Sequence, residues 1–350
     1  MNLFRHPAFF PLLAALAFAG IASAKEARPA YLGAIVEDCD SGQVLFEDNA
    51  DVVSPPASMT KLMTFAVVHD KLADGTLKLD TPVTVTAADS KIGGTQVWLK
   101  EGEVFPVEDL LYAMMIQSGN DAAHALARTA AGTPAAFVDL MNAKARALGM
   151  NHTTFRSPHG LPPANRRIAE GDLTSPRDYV ILSRYLLRET DVTKYTGVRE
   201  RDFGASQRSA DRVIKMVNHN HLLGKVAGVD GLKTGFTNGA GYCLAATAER
   251  NGRRVLVVVM GSPDSKTRDF RVMELIERGF ATLPAMAAPA VVKTGAPASG
   301  NAAAASPAPV PAAPAVPTVK TDKSAAPVQS STPTPPPVIF RVIPPSEKKP

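Results

Sequence analysis

Cysteine is scarce in this sequence of 350 residues, which contains only Cys39 and Cys243. Two cysteines form at most one disulfide, which excludes the disulfide framework that holds many small secreted domains together. With 45% hydrophobic residues the chain can bury a full core instead. Both cysteines lie in strand-like segments, where we expect them to be small buried side chains, and their pairing stays open.

Signals for metal, nucleotide or nucleic-acid binding are also missing. The seven histidines show no zinc-ligand spacing, and we interpret His219-Asn220-His221 as a pair of loop residues rather than a site. The sequence has no glycine-rich phosphate loop. The net charge of +5 comes partly from Lys25, Lys348 and Lys349 rather than from one basic face. We therefore predict no metal, no cofactor and no nucleic-acid partner.

The N-terminal apolar run is too short for a bilayer-spanning helix, which needs about 20 residues. It extends over residues 8–21, is interrupted by Pro11 and follows a basic start. The small residues Ala22-Ser23-Ala24 come next, in the pattern that a signal peptidase accepts. We predict a signal peptide over residues 1–24, and hence export to the periplasm or the outer face of the cytoplasmic membrane.

Proline is unevenly distributed, since 16 of the 29 prolines lie from Pro284 onward, among Ala, Ser, Thr and Val. A segment of this composition buries too little apolar surface to pack. We predict a disordered tail over residues 284–350 that serves as an extended spacer, with one apolar patch at residues 338–343. The folded domain is accordingly predicted over residues 25–283.

Strand patterns lie at both ends of this domain. One hairpin is predicted over residues 31–47 with a turn at Asp40-Ser41-Gly42, and another joins residues 242–249 to 253–260 through Asn251-Gly252. Helical patterns between them cover residues 59–72, 107–116, 121–131, 135–148 and 175–188, and a last helix covers 266–280. This order predicts an α+β fold, in which an antiparallel sheet flanked by helices meets a helical lobe at an active-site cleft.

Ser58 and Lys61 follow Pro55-Pro56-Ala57, a segment that ends extended structure and lets a helix begin near the serine. A spacing of three places both side chains on one helical face. A serine hydroxyl becomes nucleophilic when a neighbour accepts its proton, which a lysine does when burial or nearby cations keep it neutral. Ser58 is the candidate nucleophile and Lys61 the candidate base; the alternative is a capping serine with an exposed lysine.

Ser118-Gly119-Asn120 interrupts the helical pattern and is predicted to lie on a loop between two helices. From this loop, Ser118 can relay a proton between lysine and leaving group, while Asn120 can hold Lys61 and a substrate carbonyl. The alternative is an ordinary turn that caps the next helix.

Lys233-Thr234-Gly235 leads into the second hairpin. Lys233 and Thr234 are suited to bind a substrate carboxylate, and Gly235 leaves room for an acyl chain along the strand edge. The backbone N–H groups of Phe236 and Ser58 are candidates for an oxyanion hole.

Short motifs of this kind also arise by chance. The tail contains Lys293-Thr294-Gly295, Ser299-Gly300-Asn301 and Ser346-Glu347-Lys348-Lys349, in reverse order and without helix or strand patterns around them. Structural context, rather than the motif alone, therefore carries the inference.

Within the domain, S-x-x-K, S-x-N and K-T-G occur in this order on a helix, a helical-lobe loop and a strand, as in penicillin-binding proteins and class A β-lactamases. The sequence resembles the low-molecular-mass D-alanyl-D-alanine carboxypeptidases over residues 31–280, including His159-Gly160-Leu161. Many relatives carry a second, β-rich domain and a membrane-binding helix where this chain has its tail, so membrane association is left open.

The resemblance implies that Ser58 attacks the carbonyl between two terminal D-alanines of a peptidoglycan stem peptide, with Lys61 as base. Ser118 and Asn120 would assist, Lys233 and Thr234 would bind the terminal carboxylate, and β-lactams would be covalent inhibitors. Arg268 is expected to add positive charge at the carboxylate; an exposed arginine at a helix start is the alternative.

Other activities share the same residues. A D,D-endopeptidase uses them on crosslinked peptides, and a non-catalytic wall-binding scaffold would have lost the chemistry, which the intact motifs disfavour. A class A β-lactamase needs a loop glutamate for deacylation, and no Glu-x-x-Leu-Asn lies between Ser118 and Lys233.

Overall fold

The computed structural model describes residues 29–283. Its strands are Gly33–Asp38 (β1), Val44–Asp48 (β2), Pro82–Thr84 (β3), Val104–Pro106 (β4), Glu200–Phe203 (β5), Ile214–Val217 (β6), Val229–Thr237 (β7), Gly241–Arg250 (β8) and Arg253–Ser262 (β9). Its α-helices are Lys61–Ala73 (α1), Ala87–Ser90 (α2), Val107–Ile116 (α3), Asn120–Ala131 (α4), Pro134–Leu148 (α5), Pro176–Glu189 (α6), Val192–Thr196 (α7) and Ser265–Thr282 (α8). The predicted signal peptide and tail, with its motif copies, lie outside the described residues.

The main sheet is antiparallel, with five strands in the order β2-β1-β9-β8-β7. Strand β1 pairs with β9, Gly33 opposite Met260, so the two ends of the domain meet as predicted. Both predicted hairpins are present. In the second, Asn251 and Gly252 have φ angles of 52° and 70°, the positive values that a two-residue type I′ turn requires at both central positions.

Both faces of the sheet are buried, which explains the continuous apolar run of β9. Its odd-numbered residues from Val255 to Val259 pack with Val272 and Ile276 of α8, while its even-numbered residues face the core of the helical lobe. Side chains alternate between the faces of a strand, so a strand covered by helices on both sides is apolar throughout. Cys39 and Cys243 are buried free thiols, which confirms the expectation of small buried side chains.

The predicted helices of the lobe begin and end within two residues of those observed. Thr133 and Ser175 cap α5 and α6 by accepting a backbone N–H with their side chains, followed in each case by proline at the first helical position. Helix α1 is buried along residues 61–68 and forms the centre of the lobe. No helix within residues 29–283 is long and apolar enough to span a bilayer.

Replacing Ile276, which is fully buried between α8 and the sheet, tests this two-sided packing. We expect Ile276→Ala to lower the free energy of unfolding by about 2–5 kcal/mol, because it leaves a cavity in a closed core. Denaturant titration measures this change. Met273→Ala, one turn earlier and 37% exposed, is the control, with an expected effect within about 0.5 kcal/mol. Equal effects of the two variants would contradict the packing.

Candidate active site

The three motifs meet in one cleft, where edge strand β7 passes a 3-10 turn, Ala57–Thr60, and the loop that precedes α4. The cleft has a volume of about 340 Å³ and is lined by Ser58, Thr95, Ser118, His219, His221, Thr234, Gly235, Phe236, Tyr242, Ser265 and Arg268. A hollow of about 840 Å³ elsewhere, lined by residues such as Phe65 and His69, contains none of the motif residues. The candidate active site is therefore identified by its motif residues and not by the size of the cavity.

Ser58 lies in the 3-10 turn, and Lys61 is the first residue of α1. The turn begins sharply, because Ala57 has a φ angle of 49°. Nζ of Lys61 lies 3.1 Å from Oγ of Ser58, 2.7 Å from Oδ1 of Asn120 and 2.7 Å from the carbonyl oxygen of His159. Lysine and serine thus face each other as the spacing predicted.

The electrostatics of the cleft favour a neutral Lys61. Burial and then the positive charge of Lys233 hold the pKa of Lys61 well below its ordinary value, against the opposite effect of Asp172 and Asp121. A neutral amine at hydrogen-bond distance can accept the hydroxyl proton of Ser58. The alternative of an exposed lysine is excluded, since Lys61 is fully buried.

The second motif contributes a hydroxyl and an amide from the start of α4. Asn120 is the first residue of that helix; its Oδ1 accepts from Lys61, and its Nδ2 donates to the carbonyl of Gly93. Ser118 has a φ angle of 64° and is buried, yet its Oγ has no hydrogen-bond partner among the described residues. A buried hydroxyl without a partner on the cleft wall is free to bond a substrate group.

The third motif places its residues at different depths. Gly235 approaches the 3-10 turn so closely that a Cβ there would lie 2.4 Å from the carbonyl oxygen of Pro56, which explains the need for glycine. Thr234 lines the cleft, whereas Lys233 is buried behind the wall. Burial and the charge of Arg268 lower the pKa of Lys233 to about 7.

Phe236 and Arg268 complete the predicted set. The Phe236 ring, 49% exposed, stacks on Tyr242 at 4.1 Å between ring centroids. Arg268 is only 3% exposed and lines the cleft, so the alternative of an exposed helix-start arginine is wrong. Its guanidinium donates to Oδ1 of Asp269 from Nε at 2.9 Å and from Nη2 at 2.6 Å, which fixes the guanidinium on the cleft wall.

His219-Asn220-His221 lies on a loop, as interpreted from the sequence, and this loop borders the cleft. His219 and His221 both line the cleft, and Nδ1 of His221 lies 3.1 Å from Oδ2 of Asp269. Burial, followed by the positive charge of Lys233, lowers the pKa of His219 to about 4. Among the described residues, no group of three or more His, Cys, Asp or Glu side chains is arranged to hold a metal ion.

A buried carboxylate that the sequence did not indicate, that of Asp172, supports the turn that carries the candidate nucleophile Ser58. Oδ2 of Asp172 accepts from the hydroxyls of Thr60 and Ser157, and its Oδ1 accepts from two backbone N–H groups, of Arg156 and Ser157. Ser157 in turn accepts the N–H of Gly160. A Cβ at Gly160 would lie 1.9 Å from the carbonyl oxygen of Ala57, so this loop is packed directly against the turn that carries the nucleophile.

An α+β fold in which a cleft serine contacts a buried lysine at the edge of an antiparallel sheet defines the β-lactamase/transpeptidase-like class. The comparisons agree. Residues 22–264 match the family model of peptidase S11, D-alanyl-D-alanine carboxypeptidase. The chain belongs to this family.

Individual relatives show the extent of the likeness. D-alanyl-D-alanine carboxypeptidase DacF of Bacillus subtilis is 36% identical over 71% of this chain and 61% of its own length. A D-alanyl-D-alanine endopeptidase of Pseudomonas aeruginosa is 34% identical over 74% and 80%, respectively. Penicillin-binding protein D2 of Listeria monocytogenes, solved in its ampicillin-bound form, superposes with a TM-score of 0.63 at 32% identity, over 72% of this chain and 97% of that one. The chain thus spans about three fifths of the first of these relatives.

Removing the charge of Arg268 tests the electrostatic coupling in the cleft. We expect Arg268→Gln to raise the pKa of Lys233 above about 7, because the positive guanidinium favours the neutral amine. NMR titration of lysine side chains measures the shift. Arg278→Gln, near the far end of α8, is the control. A Lys233 pKa that does not change in the Arg268 variant would show that burial alone causes the shift.

Proposed function

We propose that this protein is an exported serine-type D-alanyl-D-alanine carboxypeptidase that removes the terminal D-alanine from peptidoglycan stem pentapeptides and is acylated by penicillin. The observation that carries the proposal is the contact between a cleft serine and a buried lysine: Nζ of Lys61, whose pKa is lowered, lies 3.1 Å from Oγ of Ser58. Family membership indicates which acyl group this pair acts on.

Acylation begins when Oγ of Ser58 attacks the carbonyl carbon between the two D-alanines and its proton passes to Nζ of Lys61. The oxygen of the tetrahedral intermediate is proposed to bind the backbone N–H groups of Ser58 and Phe236. The C–N bond then breaks, and the leaving amine takes a proton from Lys61 through the unpartnered hydroxyl of Ser118.

Deacylation returns the site to its starting state. Water attacks the ester, its proton passes to Lys61, and the trimmed peptide leaves as Oγ of Ser58 regains a proton. Asn120 holds Lys61 in place throughout, since its Oδ1 lies 2.7 Å from Nζ.

The terminal carboxylate of the substrate is proposed to bind at Thr234 and Arg268 on the wall, with Lys233 behind them. An anion beside Lys233 favours the charged form of the amine and raises its pKa from about 7. Binding of the substrate carboxylate would therefore favour protonated Lys233, whose positive charge then stabilises that carboxylate.

The peptide that precedes the scissile bond has space on the other side of the nucleophile. A hollow of about 420 Å³ begins at Ala57 and is lined by Leu161, Pro163 and Thr237, among others. Thr237 directly follows Phe236 on β7, so a chain that lies along this edge strand would reach both the hollow and the carboxylate site.

A second candidate activity is D,D-endopeptidase, which the likeness to the Pseudomonas aeruginosa endopeptidase favours. Both activities cleave a D-alanyl bond with the same serine. Incubation with purified pentapeptide and with crosslinked muropeptides, followed by mass spectrometry, separates them. Release of D-alanine supports the carboxypeptidase, whereas crosslink cleavage without it would replace our proposal, and rapid penicillin hydrolysis would indicate a β-lactamase.

Replacing the nucleophile gives the first functional prediction. We expect Ser58→Ala to abolish both D-alanine release and the covalent penicillin adduct, because within residues 29–283 the hydroxyl that hydrogen-bonds to Lys61 is that of Ser58. Mass spectrometry of the penicillin-treated protein measures the adduct and locates it. Ser90→Ala, in α2 and outside the cleft, should keep both properties. An adduct that persists on the Ser58 variant would place the nucleophile elsewhere.

The pH dependence of acylation follows from the lowered pKa of Lys61. Protonated Lys61 cannot accept the serine proton, so the acylation rate should rise with pH and level off below the ordinary lysine pKa of 10.5. Stopped-flow measurements with a chromogenic β-lactam test this. Lys61→Arg should be inactive at every pH, because a guanidinium stays protonated, while Lys71→Arg on the same helix serves as control. A rate that falls with pH over the acid range would refute Lys61 as base.

A further inference from the structure

Trp98 has an unusual conformation. Its φ angle is 55°, in the left-handed region that bulky side chains rarely adopt, and its side chain is 62% exposed. A large aromatic residue normally gains by burial, and it normally avoids this backbone region. A residue that is unusual both in its backbone conformation and in its exposure calls for a functional explanation.

The backbone around Trp98 is clamped from two sides. The buried carboxylate of Asp121 accepts the N–H groups of Val97 and Leu99 at 3.0–3.2 Å. From the other side, the guanidinium of Arg208 donates to the carbonyl oxygens of Val97 and Trp98, both at 3.0 Å. Val97 and Leu99 are buried while Trp98 points outward. These hydrogen bonds therefore fix the backbone that carries the exposed indole ring.

The supporting residues are themselves fixed. The side chain of Arg208 is 2% exposed, pairs with Glu103 and lies against the rings of Phe105 and Phe203 at 5.2 and 5.0 Å. Arg208 is held by these contacts, so the backbone that carries the Trp98 ring is fixed before any ligand arrives.

Trp98 lies three residues along the chain from the lining of the cleft. Thr95 lines the cleft, and its carbonyl oxygen accepts the N–H of Asn120 at 2.8 Å. Three residues of extended chain span at most about 11 Å, so the indole is supported within that distance of the cleft wall. Four stem residues separate the scissile bond of a pentapeptide from its sugar, and extended they span about 14 Å. The distance from the cleft wall to Trp98 is therefore comparable with the length of the extended stem.

The surroundings of the ring indicate what it binds. Within residues 91–100, Trp98 is the only exposed large apolar side chain, and the other exposed side chains, beside two glycines, are polar: Lys91, Thr95 and Lys100. A membrane-inserting surface needs several apolar side chains together. A sugar ring presents C–H groups to the negative face of an indole, while its hydroxyls bond to polar neighbours.

We propose that Trp98 is a stacking platform for a pyranose ring of the glycan strand, outside the catalytic cleft. The proposal rests on the proposed function for the identity of the glycan, because the stem peptide is attached to an N-acetylated amino sugar. The platform holds polymeric substrate outside the cleft while the stem enters it. It contributes to binding of the polymer and leaves the reaction with a free peptide unchanged.

Fluorescence tests the platform directly, because Trp98 is the sole tryptophan of the chain. Titration of the full-length protein with the N-acetylglucosamine tetramer should change the indole emission in a saturable way. Trp98→Ala should bind purified sacculi about three- to tenfold more weakly, as expected for the loss of one stacking contact. Trp98→Phe, which keeps an aromatic face, should recover part of this binding.

Controls separate this proposal from a folding defect and from failure of the proposed function. Penicillin acylation and release of D-alanine from free pentapeptide should stay unchanged in Trp98→Ala. Phe270→Ala removes an aromatic side chain of similar exposure, 55%, outside the cleft lining and should bind sacculi normally. A saturable emission change without any D-alanine release would refute the proposed function and leave the platform standing.

Three outcomes would overturn the platform. One is an emission spectrum that does not respond to the tetramer. Another is a Trp98→Ala variant that binds sacculi as tightly as the wild type. The third is an emission shift with phospholipid vesicles and none with the sugar, which would assign the ring to a membrane surface instead.

Discussion

The buried amine of Lys61 holds the catalytic site together. Its three short contacts, to Ser58, Asn120 and the carbonyl of His159, connect a turn, a helix start and a loop that lie far apart in the sequence. Burial of a charged amine is costly, and Lys233 raises that cost. The environment that makes protonation of Lys61 unfavourable therefore also suits its amine to accept a proton. Burial thus both packs the site and prepares the candidate base.

Much of the site's precision comes from backbone packing rather than from the motif side chains. Gly160 and Gly235 press against the 3-10 turn from two directions, where a Cβ would collide with the carbonyl oxygen of Ala57 or Pro56. Asp172 then joins this turn to the loop next to Gly160, since it accepts one hydrogen bond from Thr60 and three from Arg156 and Ser157. The turn that carries Ser58, the proposed nucleophile, is thus held by neighbours to which the proposed mechanism gives no chemical role.

The sheet, its two hairpins, the helices and the serine–lysine contact could be predicted from the sequence, because periodicity, turn chemistry and a spacing of three are local signals. The remaining features of the site depend on contacts between residues that are far apart in the sequence. His219 and His221 reach the cleft from a loop without any period, and nothing near Asp172 or Asp269 in the sequence indicates a partner more than 40 residues away. The depth of Lys233 behind Thr234 likewise follows only from how β7 meets the turn.

The pairing of β1 with β9 has a consequence for how this chain acquires its structure. Gly33 of β1 pairs with Met260 of β9, and Arg268 reaches the cleft from the first turn of α8, the helix that follows β9. Contacts between such distant segments form late and slowly. A growing chain therefore has neither a closed sheet nor a complete cleft until almost all of the domain has been synthesised.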